Sequence, residues 1–213
     1  MGNRPYPRSR GIALAATFAA LISVASPITI PLAPITPVPI TLQVFFVFLA
    51  LALLGPWYGT LSMAIYLLLG AAGLPVFAGL SGGGSVLFGY KGGYLFGFVA
   101  ACLVGGLVAG RRAATNRSDT LRVAVGCLVG LAVIYAIGVV WLSNYLGWTL
   151  SKGFALGALA FIPVDLVKAV VAVPVAVRLR WSNLLLPVNT GRAVVPAAIA
   201  SETSTLSSPR SPA

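Results

Sequence analysis

Two residues of opposite charge stand three positions apart in an otherwise apolar stretch, FIPVDLVK. They are Asp165 and Lys168, and this spacing places both side chains on one face of a helix. A charged group at the centre of a bilayer costs about 2.5–3.5 kcal/mol on insertion scales, so such residues are usually paired and functional. The pair is therefore a candidate ligand-binding site. The alternative is a structural ion pair that ties its helix to the neighbouring helices.

The depth of this pair depends on Pro163. Proline suits the first turn of a helix and disrupts its interior. If the last helix starts at Pro163, Asp165 lies in its first turn, near one face of the membrane. Residues 153–162 then form a short separate element, and a helix over residues 163–180 is about 27 Å long.

The helices that position the pair must lie in lipid. Of the 213 residues, 59% are hydrophobic and only 8% are charged, whereas soluble domains carry about 25% charged residues. The mean hydropathy is +0.99. A span needs about 20 mostly apolar residues. We predict an all-α integral membrane protein with six transmembrane helices, over residues 11–26, 40–54, 57 to 70–73, 93–110, 123–142 and 153–177.

The second and third spans are short, so we expect them to be tilted or capped by neighbours. A Pro-rich stretch over residues 27–39 cannot form a regular helix. A Gly-rich segment over residues 73–93 predicts a structured or re-entrant loop and not a span. Residues 1–180 form a single transmembrane domain, and residues 181–213, rich in Ser, Pro and Arg, form a tail predicted to be disordered.

The distribution of charge predicts the orientation. The chain has 14 Lys and Arg residues against three acids, Asp119, Asp165 and Glu202, for a net charge of +11. The basic residues lie in short stretches between the apolar runs and in the tails, as in cytoplasmic loops, which argues against nucleic-acid binding. With six spans, all the basic clusters share one side, so both termini are predicted to be cytoplasmic. These clusters are Arg4, Arg8 and Arg10; Arg111, Arg112, Arg117 and Arg122; and Arg178 and Arg180.

One alternative concerns the first span. Its basic start, apolar run and SVAS sequence ending at Ser26 also resemble a cleavable signal peptide. Cleavage would leave five spans in the same orientation, so the charge distribution does not decide between the two interpretations.

The sequence lacks the residues that metal binding, phosphate binding and catalysis require. The sequence has no histidine, and its cysteines, Cys102 and Cys127, lie in apolar stretches typical of small buried side chains. We therefore predict no metal and no cofactor. The Gly-rich segment has no phosphate-binding G-x-x-x-x-G-K-[ST] pattern. An intramembrane enzyme would lack a base and a second membrane carboxylate, so we predict no catalytic residues.

Four segments together resemble the biotin-specific S-component (BioY) family of energy-coupling factor transporters, over about residues 11–180. They are TPVPITLQ at 36–43, GLPVFAGLSGG at 73–83, GGYLFGF at 92–98 and FIPVDLVK at 161–168. The resemblance implies six helices in the cell membrane and a biotin pocket near the outer face. It also implies a partner assembly of a transmembrane coupling protein and two ATPase subunits.

The resemblance also implies roles for particular residues. Asp165 and Lys168 become the leading ligand contacts, with Gln43, Tyr94 and the loop 79–84, including Gly82 and Gly83, as secondary ones. Lys91 is a predicted outer-loop cation that could attract an anion, and Lys91 or Lys168 could pair with the biotin carboxylate. A strip of small residues on the first helix would face the coupling protein, which argues against cleavage of that helix. The strip consists of Ala15, Ala16, Ala19 and Ala20.

The chain departs from the family pattern at four positions. Tyr90 and Lys91 replace Pro and Thr, while Leu80 and Val164 each replace Gly. These changes put the preferred substrate in question. An S-component for another vitamin and a carrier that works without ATPase partners stay open as alternatives. A purely structural subunit is disfavoured, because Asp165 and the Gly-rich segment would have no role in it.

Overall fold

The computed structural model describes residues 8–110 and 117–181. This part of the chain is mostly helical, with one very small sheet. In chain order the elements are α1 (Arg8–Ala25), β1 (Thr29–Ile30), β2 (Ile40–Thr41), α2 (Gln43–Ala71), α3 (Gly84–Leu87), α4 (Gly92–Ala109), α5 (Arg117–Leu146), α6 (Leu150–Phe154), a π-helix (Ala155–Leu159) and α7 (Ile162–Trp181).

The helices make this a multi-pass membrane protein. Four helices of the described part are long and apolar enough to cross a bilayer, namely α1, α2, α4 and α5. A fifth candidate is the bent pair Leu150–Leu159 and Ile162–Arg180, whose two parts meet at 42°. The count by length and composition is therefore four or five spans, below the predicted six. The difference arises in α2, which covers both the second and the third predicted span.

The chain reverses direction within α2. Gly55 has φ 72° and ψ −171°, outside the helical region, and Pro56 follows it. Gln43 Nε2 donates a hydrogen bond to Tyr66 Oη at 2.7 Å across a separation of 23 residues, which a straight helix would stretch to about 35 Å. A Cβ atom on Gly59 would lie 3.1 Å from the Ala50 carbonyl oxygen. The two arms, residues 43–54 and 56–71, therefore pack against each other as a hairpin.

The helices pack around α2 and α4. α4 lies against both α2 and α5, and α7 packs on α2 and α5. Small residues let α4 and α5 approach closely, since a Cβ atom on Gly105 would lie only 2.6 Å from the Gly126 carbonyl oxygen. Large side chains from α2 and α5 fill the centre of the bundle; the fully buried ones include Phe48, Leu51, Leu54, Met63, Tyr66, Ile134 and Leu142.

The predicted small-residue strip on α1 divides between two faces. Ala15 and Ala19 are 0% and 1% exposed and pack inside this chain, where α1 lies on α2. Ala16 and Ala20 are exposed. The prediction that all four alanines face a partner is therefore wrong for Ala15 and Ala19, because the fold already covers them.

The two loop segments fold over the same end of the bundle. β1 and β2 pair antiparallel across the Pro-rich stretch, with Thr29 opposite Thr41. The Gly-rich segment forms a tight turn bridged by Phe77 and Ser81, and the Gly83 amide donates to the Gly70 carbonyl at 2.7 Å. The Gly-rich segment is a structured loop that does not span, as predicted.

Arg180 fastens the other end of the bundle. Pro56 has no N–H, so the helix cannot satisfy the Ala52 carbonyl in the usual way. The Arg180 guanidinium donates to this carbonyl from Nε at 2.8 Å and from a terminal nitrogen as well. It also donates to the Gly110 carbonyl, at the end of α4, at 2.7 Å. Arg180 thus joins α7 to the α2 hairpin and to α4.

Several sequence predictions lie partly or wholly outside the described residues. Arg4, Arg111 and Arg112 are in this group, as is the tail over residues 182–213. Trp181 is the last residue of α7.

Candidate ligand-binding site

The predicted charge pair is present and lies at the start of α7. The helix begins at Ile162 and not at residue 153, so Pro163 falls in its first turn and Asp165 lies in the same turn. Lys168 Nζ lies 2.5 Å from Asp165 Oδ1. Asp165 is only 4% exposed, so the pair is an internal feature of the bundle.

Two further contacts fix the pair. Tyr135 Oη, on α5, donates to Asp165 Oδ2 at 2.6 Å. Lys168 Nζ donates to the Thr41 carbonyl, just before α2, at 2.6 Å. An ionised carboxylate has about four acceptor sites and an ammonium has three donors. Two acceptor sites and one donor therefore stay available, so the cluster presents an acceptor and a donor side by side.

A cavity opens beside this cluster, and we call it the central cavity. About 650 Å³ of space lies between its walls, and this volume includes adjoining solvent. Its walls are mostly apolar and aromatic. The lining residues are Val38, Pro39, Ile40, Thr41, Gln43, Val44, Phe77, Ala78, Val86, Lys91, Tyr94, Leu95, Phe98, Ile134, Tyr135, Phe161, Asp165 and Lys168.

Three other predicted site residues also line this cavity. Gln43 is held by its hydrogen bond to Tyr66, which in turn shares a 2.9 Å hydrogen bond with Ser26. Tyr94 donates its hydroxyl to the Gly157 carbonyl at 2.7 Å, so it presents mainly its ring to the cavity. The Lys91 Nζ lies 5.4 Å from the centre of the Tyr90 ring, within the range of a cation–π contact.

Comparison with known proteins identifies the family. The sequence model of the BioY family matches residues 3–183. The chain belongs to the BioY family. A relative from Thermotoga maritima, "Biotin transporter BioY", is 47% identical over 171 residues, which cover 80% of this chain and 96% of the relative. "Probable biotin transporter BioY" from Pyrococcus horikoshii is 45% identical over 177 residues, with coverages of 83% and 99%.

A solved structure agrees with this assignment. The crystal structure of the S-component for biotin from an ECF-type ABC transporter matches with a TM-score of 0.74 and 30% identity. The match covers 81% of this chain and 92% of that chain. The fold of this BioY-family chain is therefore of the S-component type.

Two predicted site glycines do not line the central cavity of this BioY-family chain. A Cβ atom on Gly82 would collide with the Leu74 carbonyl oxygen, so Gly82 allows two segments of the loop to cross closely. Gly83 has φ 91° and its amide binds the end of α2. Both glycines shape the loop, and the lining they support comes from Phe77 and Ala78.

Sequence reasoning missed Tyr135 and the aromatic wall. Tyr135 lies in the middle of α5. The signal that could have found it is its hydroxyl, a polar group within a long apolar run. Its partner Asp165 is 30 residues away on another helix, and helical spacing carries no information on such a contact. Phe77 is 1% exposed and packs edge-on against Tyr66 with ring centres 5.4 Å apart.

Proposed function

We propose that this chain is the substrate-binding membrane subunit of a biotin uptake transporter. The observation that carries the proposal is the Tyr135–Asp165–Lys168 cluster in an aromatic-lined cavity of a BioY-family chain. Its relatives are named biotin transporters, and its structural neighbour is an S-component for biotin.

The chemistry of biotin fits the lining of the central cavity. The ureido ring offers N–H donors and one carbonyl acceptor, which match the acceptor on Asp165 and the donor on Lys168. The sulfur-containing ring and the aliphatic chain suit walls such as Phe77 and Phe98. The carboxylate requires a cation, and Lys91 provides one in the same lining.

The proposal includes a topology. Each arm of the α2 hairpin crosses part of the bilayer, so the chain has six membrane helices when the bent α6–α7 region counts as one. The Asp165 end then faces outward. The Arg180 end, with Arg8 and Arg10 at the start of α1, faces the cytoplasm, which agrees with the positive-inside rule. Both termini are cytoplasmic.

The proposal also includes partners. A transmembrane coupling protein and two ATPase subunits would supply the energy for release and import. Ala16 and Ala20, exposed one turn apart on α1, would allow close approach of a partner helix. Replacing Ala16 by Trp would then reduce co-purification with the coupling protein and leave biotin binding unchanged. Leu107→Trp, on α4 and away from α1, provides a control for added bulk, because Leu107 is 60% exposed.

Direct binding tests the substrate. Labelled biotin is titrated against the purified chain, with thiamine and riboflavin as competitors. We expect saturable biotin binding that neither vitamin displaces. Displacement by another vitamin, or no biotin binding, would contradict the proposal. Uptake by cells with and without the coupling protein and ATPases then separates an ATP-driven importer from a carrier that works alone.

A further inference from the structure

A second cavity lies beside the central one, under the Pro-rich stretch; we call it the loop cavity. It encloses about 470 Å³ of space, part of it open to solvent. Three residues line both cavities, namely Pro39, Ala78 and Lys91. The remaining lining comes from Thr29, Pro31, Leu32, Ala33, Thr36, Pro37 and Gly79. The two cavities therefore adjoin, and Lys91 stands at their junction.

The charged residues of the lining determine the orientation of a bound biotin. Ureido N–H groups require an acceptor, and Asp165 is the carboxylate among the described residues that line the central cavity. The ureido ring is therefore placed beside Asp165 and Lys168. Since the remaining acceptor sites of Asp165 and the remaining donor of Lys168 then serve the ring, the biotin carboxylate pairs with the other cation of the lining, Lys91. This places the carboxyl end of the ligand at the junction of the two cavities.

We infer that the two cavities form one extended site, which accepts biotin amides as well as free biotin. A biotin amide carries an amine joined to the biotin carboxyl carbon, as in biotin linked to a lysine side chain. The ring and chain occupy the central cavity, and the added group lies in the loop cavity. This inference rests on the proposed function and extends its range of substrates.

The lining of the loop cavity suits such a group. Most of its residues are prolines and small or aliphatic residues, which favour contact with a carbon chain. The amide carbonyl still accepts a hydrogen bond from Lys91, but it carries no charge. Lys91 therefore matters more for free biotin than for a neutral amide.

The test is displacement of labelled biotin from the purified full-length chain. The competitors are free biotin and its amides with methylamine, butylamine and lysine. We expect all three amides to displace labelled biotin, with inhibition constants within about tenfold of that of free biotin. Replacing Lys91 by Met should weaken the binding of free biotin by about tenfold or more and change that of the uncharged methylamine and butylamine amides far less.

Two variants on one strand provide the structural control. Thr29 lines the loop cavity, whereas Ile30, the next residue of β1, is 62% exposed and faces the other way. Thr29→Trp should weaken the butylamine and lysine amides by about tenfold or more and spare free biotin. Ile30→Trp introduces the same side chain and should change neither the affinity for free biotin nor the affinity for the amides. Unchanged biotin affinity also shows that both variants are folded.

The outcomes separate this inference from the proposed function. If free biotin binds and no amide displaces it, the extended site is wrong while the proposed function stands. Equal weakening of biotin and its amides by Thr29→Trp would also overturn it, since the loop cavity would then have a structural role only. A chain that binds no biotin refutes the proposed function itself.

Discussion

The carboxylate of Asp165 is the group whose removal tests the site most directly. It accepts a hydrogen bond from Tyr135 at 2.6 Å and pairs with Lys168 at 2.5 Å. Asp165→Asn keeps the shape and removes the charge. A hydrogen bond to a charged group contributes about 1.5–3 kcal/mol. The loss of one such bond to a ureido N–H should therefore weaken biotin binding by about tenfold to 150-fold.

The same substitution also affects folding. It leaves Lys168, whose side chain is 12% exposed, without its counter-charge. Removing one partner of a buried pair costs about 3–5 kcal/mol. The double variant Asp165→Asn/Lys168→Gln removes both charges, so we expect it to regain thermal stability. It should not regain affinity, because the ligand still lacks its charged acceptor.

The assay combines two measurements on each purified variant in detergent. Titration with labelled biotin gives the Kd, and intrinsic tryptophan fluorescence gives the melting temperature. Lys152→Gln is the control, since this lysine stacks on Trp148, with Nζ 4.6 Å from the ring centre, and does not line the central cavity. If folded Asp165→Asn binds biotin within about twofold of the parent chain, Asp165 is not a ligand contact. If the double variant regains both thermal stability and biotin affinity, the ion pair has a structural role only.

Three further substitutions follow from the contacts. Tyr135→Phe removes the hydroxyl that orients the carboxylate, so biotin affinity should fall by about tenfold in the same titration; an unchanged Kd would assign this hydroxyl to packing alone. Arg180→Met leaves the Ala52 carbonyl without its donor, at a cost of about 1–3 kcal/mol, and should lower the melting temperature without changing the Kd. Equal melting temperatures of this variant and the parent chain would show that the Arg180 hydrogen bonds do not stabilise the fold. Gly70→Leu collides with the Phe77 ring and should weaken biotin binding, whereas a normal Kd would show that the ring can move aside.

Local rules predicted the ion pair of α7 correctly, and they offered Pro163 as one possible start of this helix. A proline in the first turn and a three-residue spacing act within a single helix, so the sequence carries them directly. The break at Gly55 followed from the same kind of rule. The α5 helix is longer than its predicted span over residues 123–142, because it begins at Arg117 and continues past the apolar run at both ends.

Contacts between helices were beyond these rules. Small residues on α1 indicated close packing, but not whether the partner is α2 of the same chain or another protein. In the structure, Ala15 and Ala19 are buried within the same chain. The contact of Tyr135 with Asp165 depends in the same way on how α5 and α7 face each other, which a single sequence does not encode locally.

The position of α7 explains why the cavity is formed before a ligand arrives. Lys168 holds the start of α7 to the Thr41 carbonyl, and Arg180 holds its end to the Ala52 carbonyl, at sequence separations of 127 and 128 residues. Two contacts with almost equal separations mean that α7 and the first arm of α2 run side by side in the same direction. They fasten the helix at points about 18 Å apart. Because the Tyr135 hydroxyl and the Thr41 carbonyl already hold Asp165 and Lys168 in place, a ligand meets an ordered acceptor and donor and loses little affinity to ordering them.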